Sequence, residues 1–147
     1  MDKFLTYLMD RANRKLTEAD VRMMNPLVLA YLGDTLYDLF IRTYLVLKHS
    51  TSVHRLHLKA VEYVKAHAQS DSIHKLEEIL SDEEKNIVRR GRNAKPGTVP
   101  KNADVNEYRC ATGFEALLGY LYLLGREDRI LDVLSHVLGE KEEAEEN

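Results

Sequence analysis

Apolar positions recur along this chain every three or four residues, a period that belongs to helices and not to strands. Leu5, Leu8 and Ala12 predict a short first helix that frays around Asn13. Asn25-Pro26 then interrupts the pattern, with proline suited to a first helical position. Beyond it Leu32, Leu36, Leu39, Phe40, Thr43, Tyr44 and Leu47 form one stripe, running to about Lys48. Tyr31, Ile41 and Leu45 stand on the other side, sharing it with Asp34, Asp38 and Arg42. A helix apolar on most sides is expected at the centre of a fold. Ser52 is placed to cap a helix through about His67, and Ser70 or Asp71 to open one carrying Ile73, Leu76, Ile79 and Leu80. Ser81-Asp82-Glu83-Glu84 has the form of a capping box, opening a helix to about Arg92. Pro96, Gly97 and Pro100 mark 93–106 as the one substantial loop. After it Ala111, Phe114, Leu118, Leu121 and Tyr122 predict a second buried helix, which Gly125 would end in the left-handed conformation. Ile130, Leu131, Leu134 and Leu138 predict a last helix stopping at Gly139. With no internal repeat and no alternating segments to pair, the expected class is all-α, a helical bundle.

At 147 residues with 44% hydrophobic content, the chain suits a single domain over 1–139. Five glutamates against Lys141 give 140–147 a net charge of −4, so the remainder stands at +1 within a total of −3. Those last residues are expected to be an acidic, disordered tail. The acidic total therefore hides a basic region: Lys85, Arg89, Arg90, Arg92, Lys95, Lys101 and Arg109 face only Asp104 and Glu107 between 85 and 109, a net +5. Local charge of that kind is compatible with a nucleic-acid partner. The single cysteine, Cys110, allows no intrachain disulfide, and no Cys/His spacing fits zinc. Neither a secretory signal nor a membrane-length apolar run is evident, so the expected location is the cytoplasm, with no membrane partner.

Two acids stand out by their surroundings. Asp34 and Asp38 are the acids of the central helical segment, and Glu115 is the acid between Tyr108 and Arg126. A carboxylate set among apolar residues needs a partner or a metal, because burying it ionised costs several kcal/mol, roughly. Asp38 has Arg42 four residues on, the spacing of a helical ion pair. Asp34 and Glu115 have no basic residue at three or four positions on either side. One explanation is structural: Asp34 caps a helix and Glu115 meets an arginine from another element. The other is that both face one divalent cation.

Leu29-Ala30-Tyr31-Leu32-Gly33-Asp34 resembles the signature helix of the ribonuclease III family, Leu-Glu-Phe-Leu-Gly-Asp. Phe114-Glu115-Ala116-Leu117-Leu118-Gly119 resembles its second acidic helix, Leu-Glu-Ala-Leu-Leu-Gly, about eighty residues later. Arg90-Gly91-Arg92-Asn93-Ala94-Lys95 and Pro100-Lys101-Asn102, lying between them, are similar to the Mini-III branch, which consists of the catalytic domain alone. The resemblance covers roughly residues 20 to 138. Two positions depart from the larger enzymes, whose further acids fall on Ala30 and Thr112.

The resemblance implies a ribonuclease III-like domain working as a homodimer, with the apolar second face of the central helix (Tyr31, Ile41, Leu45 or their neighbours) near the two-fold. It implies a Mg²⁺-dependent endoribonuclease that hydrolyses double-stranded RNA to 5′-phosphate and 3′-hydroxyl ends. The substrate would be precursor large-subunit (23S) ribosomal RNA, with a ribosomal protein as a candidate further partner. Asp34 and Glu115 would be the catalytic residues and the metal ligands. Arg90, Arg92, Asn93, Lys95, Lys101, Asn102 and Arg109 would contact RNA, through phosphates and 2′-hydroxyls. The alternatives are a non-catalytic RNA-binding ribosome-assembly factor that lost activity with Ala30 and Thr112, and a helical dimer acting as a protein scaffold.

Overall fold

The computed structural model describes residues 2–68, 74, 76–95, 98–99, 101 and 104–146, and no strand occurs among the described residues. In chain order the helices are α1 (Asp2–Arg11), α2 (Glu18–Arg22), α3 (Pro26–Lys48), α4 (Val53–Ala68), α5 (Asp82–Asn93), α6 (Val105–Leu123) and α7 (Glu127–Glu146). Their starts follow local side-chain chemistry. The Asn25 side chain accepts the Leu27 amide at 2.9 Å and Pro26 takes the first helical position, as the sequence predicts. Ser81 accepts the Glu84 amide while Glu84 accepts the Ser81 amide, completing the expected capping box. Asp104 caps α6 by accepting the amides of Asn106 and Glu107.

Helices α3 and α6 form the centre of the molecule, and their mutual packing is the most extensive in it. The core line of α3 is Leu29, Gly33, Tyr37, Ile41 and Leu45, spaced four apart. It meets α6, whose Phe114, Leu117, Leu118, Tyr120 and Leu121 are nearly inaccessible to solvent. Each large side chain buried in this way stabilises the fold by about 1.5–3 kcal/mol. On its other side α6 packs against α5, where Gly91 lies on Gly113.

This geometry corrects the expected second face of the central helix. Ile41 and Leu45 are each 1% exposed and belong to the core of the single chain, so neither is free to meet a second copy. Tyr31 is 78% exposed, together with Val28, Leu39, Val46 and Leu47. The period of the apolar residues marks α3 as central, but with apolar groups all round it cannot say which line turns inward. The glycine on the Leu29–Leu45 line decides that, by admitting α6 closest there.

The last helix also departs from expectation. It passes through Gly139 to Glu146, where the sequence predicts a stop at Gly139. Glu, Lys and Ala are strong helix formers, and a glycine inside a helix costs only about 1 kcal/mol, which the flanking residues offset. Gly125 does take the left-handed conformation, with φ of 69°. Leu76 is helical and buried, but Ile79 lies in the turn that follows and Leu80 beyond it, where a helix was predicted; Ser70, Asp71 and Ile73 lie outside the described residues.

Arg129 of α7 ties this frame to α5. Its Nε and Nη2 donate to the two oxygens of Glu84, each at 2.8 Å, and Nη2 also donates to the Ile79 carbonyl at 2.7 Å. Burial alone would raise the Glu84 carboxyl. The Arg129 guanidinium and the Ser81 cap outweigh it, holding the group below its ordinary value.

Candidate active site

Asp34 and Glu115 come from the two central helices and are brought together where those helices cross. A methyl group on Gly33 would overlap the carbonyl oxygen of Glu115, and one on Gly119 would overlap the carbonyl oxygen of Leu29. Only glycine permits backbones to approach so closely. Asp34 follows Gly33, so its side chain emerges at the edge of the crossing, exposed to solvent. Glu115 is half-buried beside it. The α3 helix runs unbroken from Pro26, so Asp34 caps nothing.

The two carboxyl groups lie within hydrogen-bonding reach of each other. Burial, then the charge of Asp34, then the hydrogen bond to it push the Glu115 carboxyl up to about 8 from an ordinary 4.5. Near neutral pH Glu115 therefore keeps its proton. Both groups offer hard oxygen donors, and what they lack is positive charge. That donor set fits a divalent cation such as Mg²⁺, which would displace the proton. Among the described residues no third acid, histidine or cysteine completes a cluster with them. At the positions where the resemblance places further acids, Ala30 is 6% exposed and Thr112 donates its hydroxyl to the Tyr108 carbonyl at 2.9 Å. Asp38 is not drawn into the pair: it holds Arg42 at 3.1 Å, as its spacing predicts.

Beneath the pair lies a support that sequence reasoning missed. Tyr37, three residues after Asp34 and 2% exposed, packs edge-on against Phe114 with ring centroids 5.8 Å apart. Its hydroxyl donates to the Tyr63 carbonyl of α4 at 3.4 Å. Burial first, then Tyr63 and Glu115, raise the phenol's pKa, so Tyr37 stays neutral and adds no charge under the acids. The available signal was Tyr37 one helical turn beyond Asp34 and Phe114 adjacent to Glu115.

The basic residues divide. Asn93, Lys95, Lys101 and Arg109 are exposed at or beside the α5–α6 connection, and Asn102 lies outside the described residues. Arg92 is held by Glu77, with Nη1 to Oε1 at 3.1 Å. Arg90 turns inward, donating to the carbonyls of Arg22 and Met24. A concavity of about 840 Å³ lies elsewhere, between the starts of α5 and α7. Asp34 and Glu115 do not line it.

The family profile described as Ribonuclease III domain matches residues 27–126. The chain is 46% identical over 132 residues to Mini-ribonuclease 3 of Clostridium tetani, covering 89% of this chain and 87% of that protein. It is 52% identical over 119 residues to Mini-ribonuclease 3 of a Thermoanaerobacter species, covering 81% and 84%. A crystal structure of a Fusobacterium nucleatum protein superposes with a TM-score of 0.72 at 34% identity, covering 83% of this chain and 98% of that one.

Proposed function

Because the chain belongs to the Mini-ribonuclease 3 branch of the ribonuclease III family, we propose that it is a Mg²⁺-dependent endoribonuclease acting on double-stranded RNA. The observation that carries this reading is the Asp34–Glu115 pair: two carboxyl groups brought together from crossing helices, Asp34 exposed and Glu115 half-buried with its pKa raised. In this reading both residues would hold the cation through their carboxylate oxygens. When bound, Mg²⁺ supplies polarisation of the scissile phosphate and a lowered pKa for the attacking water. Glu115 would release its proton to solvent in order to hold the cation, while Tyr37, buried against Phe114, supports it from beneath. Arg92, Asn93, Lys95, Lys101, Asn102 and Arg109 are the residues we assign to the RNA backbone, to neutralise phosphates and reach 2′-hydroxyls. Hydrolysis leaves 5′-phosphate and 3′-hydroxyl ends.

Precursor large-subunit ribosomal RNA is the substrate we assign, in the cytoplasm, with a ribosomal protein as a further partner. No helix among the described residues is long and apolar enough to cross a membrane. Two copies are proposed to pair through the outer face of α3, where Val28, Tyr31, Leu39 and Val46 leave apolar surface in the solvent.

A second reading, an RNA-binding assembly factor without activity, is favoured by Ala30 and Thr112, which leave the site with fewer acids. A duplex RNA incubated with the chain, with and without Mg²⁺, separates the two. Cleavage that requires Mg²⁺ supports the enzyme, and tight binding with intact RNA supports the factor.

A further inference from the structure

Arg90 carries a charge in the most basic part of the chain, yet the fold spends that charge internally. Its Nη1 donates to the Arg22 carbonyl and its Nη2 to the Met24 carbonyl, the latter at 3.0 Å. These carbonyls belong to the end of α2 and to the link that delivers the chain to Asn25, the cap of α3. The next residue of α5, Gly91, rests on α6, where a methyl would come within 2.7 Å of the Gly113 Cα. Gly113 precedes Glu115 by half a helical turn. One turn of α5 is thus fastened on one side to the entrance of the helix that carries Asp34, and on the other to the helix that carries Glu115.

We propose that Arg90 is a positioning residue for the Asp34–Glu115 site: it locks the register of α3 against the α5–α6 pair. The inference rests on reading that pair as the cation site. The Gly33–Gly119 crossing sets how closely α3 and α6 approach, but apolar packing around it leaves α3 able to slide or roll by fractions of a residue. A guanidinium bonded to two carbonyls in a fixed fork resists such motion, because both bonds are directional and the donor is charged. A displacement on the order of 1 Å at a catalytic group is worth up to about a hundredfold in rate.

The test compares the full-length wild type with Arg90→Ala, Arg90→Lys and Arg92→Ala on one duplex RNA, at a temperature where circular dichroism shows each folded. Arg90→Ala is expected to lower kcat about 10- to 100-fold while its Kd for RNA without Mg²⁺, and the salt dependence of that Kd, stay unchanged. It should also need more Mg²⁺ for half-maximal rate and show a smaller Mg²⁺-induced rise in Tm. Arg90→Lys, which reaches the carbonyls without the fork, should recover part of each. Arg92→Ala should instead lower the salt slope, by less than about one because Glu77 already holds part of its charge. If Arg90→Ala does not fold, Arg90→Lys is judged on the same readouts. Cleavage by the Arg90 variants at the wild-type rate overturns the proposal, and so does a salt slope reduced by about one with kcat intact. A wild type that cleaves nothing refutes the reading of the acid pair instead. The brace then stands or falls on the Mg²⁺-induced rise in Tm, which must shrink when Arg90 is replaced.

Discussion

The carbonyl oxygen of Glu115 rests on Gly33, in space that any side chain would occupy. The contact works at two levels. It brings the two central helices as close as backbones can come, and it places the neighbouring residue, Asp34, beside the Glu115 carboxyl.

If Asp34 and Glu115 hold the cation, Asp34→Asn and Glu115→Gln each remove a ligand charge at constant size. Each should reduce Mg²⁺-dependent cleavage of duplex RNA by at least about a hundredfold, several kcal/mol of barrier. Duplex binding measured by gel shift without Mg²⁺ should persist or tighten, since a negative charge near the phosphates has gone. Near-wild-type cleavage by either variant at saturating Mg²⁺ would remove that residue from the mechanism.

Glu115 also makes stability depend on pH. Folding raises its pKa from 4.5 to about 8, so between those values the folded chain keeps a proton that the unfolded chain has released. The stabilisation is complete below about 4.5, declines as pH rises, and is lost above about 8. Relative to wild type, Glu115→Gln should therefore gain stability from pH 5 to pH 9, by roughly 3–5 kcal/mol. Urea unfolding at both pH values measures it, and parallel curves would contradict the raised pKa. Added Mg²⁺ should recover part of the wild-type loss by replacing the proton.

Gly119→Ala tests the crossing itself. Its methyl would overlap the Leu29 carbonyl oxygen, which as backbone cannot rotate away, so the helices must separate. Destabilisation of about 3 kcal/mol or more is expected, with loss of activity in whatever remains folded. Thermal and urea melts check this directly. Gly139→Ala serves as the contrast, since a methyl there meets nothing within 4 Å, and it should be neutral or stabilising.

The connection between α5 and α6 should act on RNA by charge. Replacing Lys95 and Lys101 by Ala should weaken duplex binding across sequences and reduce the salt slope by about two at most, one per phosphate contact. Glu77→Gln should do the reverse, because it frees Arg92 from its ion pair. A two- to fivefold gain in affinity at low salt is about what one exposed ion pair is worth. Unchanged salt slopes in the lysine variants would place the RNA elsewhere.

The outer face of α3 makes a further demand. Tyr31→Asp with Leu39→Lys should convert a dimer to a monomer in light scattering at micromolar concentration, without unfolding it, because both side chains are exposed in the single chain. A wild type that is already monomeric would end the dimer proposal.

Much of this was legible in the residue order because it depends on neighbours along the chain. Helical period, the Asn25-Pro26 start, the Ser81–Glu84 box, the Asp38–Arg42 pair and the Gly125 stop all involve groups within about one turn. The lack of a local partner for Asp34 and Glu115 was equally readable, and it singled out both acids. What the order of residues left undecided were relations across the fold. An apolar period cannot say that α3 turns Ile41 and Leu45 inward and Tyr31 outward, since that choice belongs to the α6 backbone lying on Gly33. Nor can it assign long-range partners: Arg90 and Arg92 are similar in sequence surroundings, yet one reaches the carbonyls before α3 and the other Glu77. Charge count gives a basic region its net sign. Only tertiary distance decides which of its charges are spent on the protein and which remain for a partner, because electrostatic and hydrogen-bond energies depend on separation in space and not along the chain.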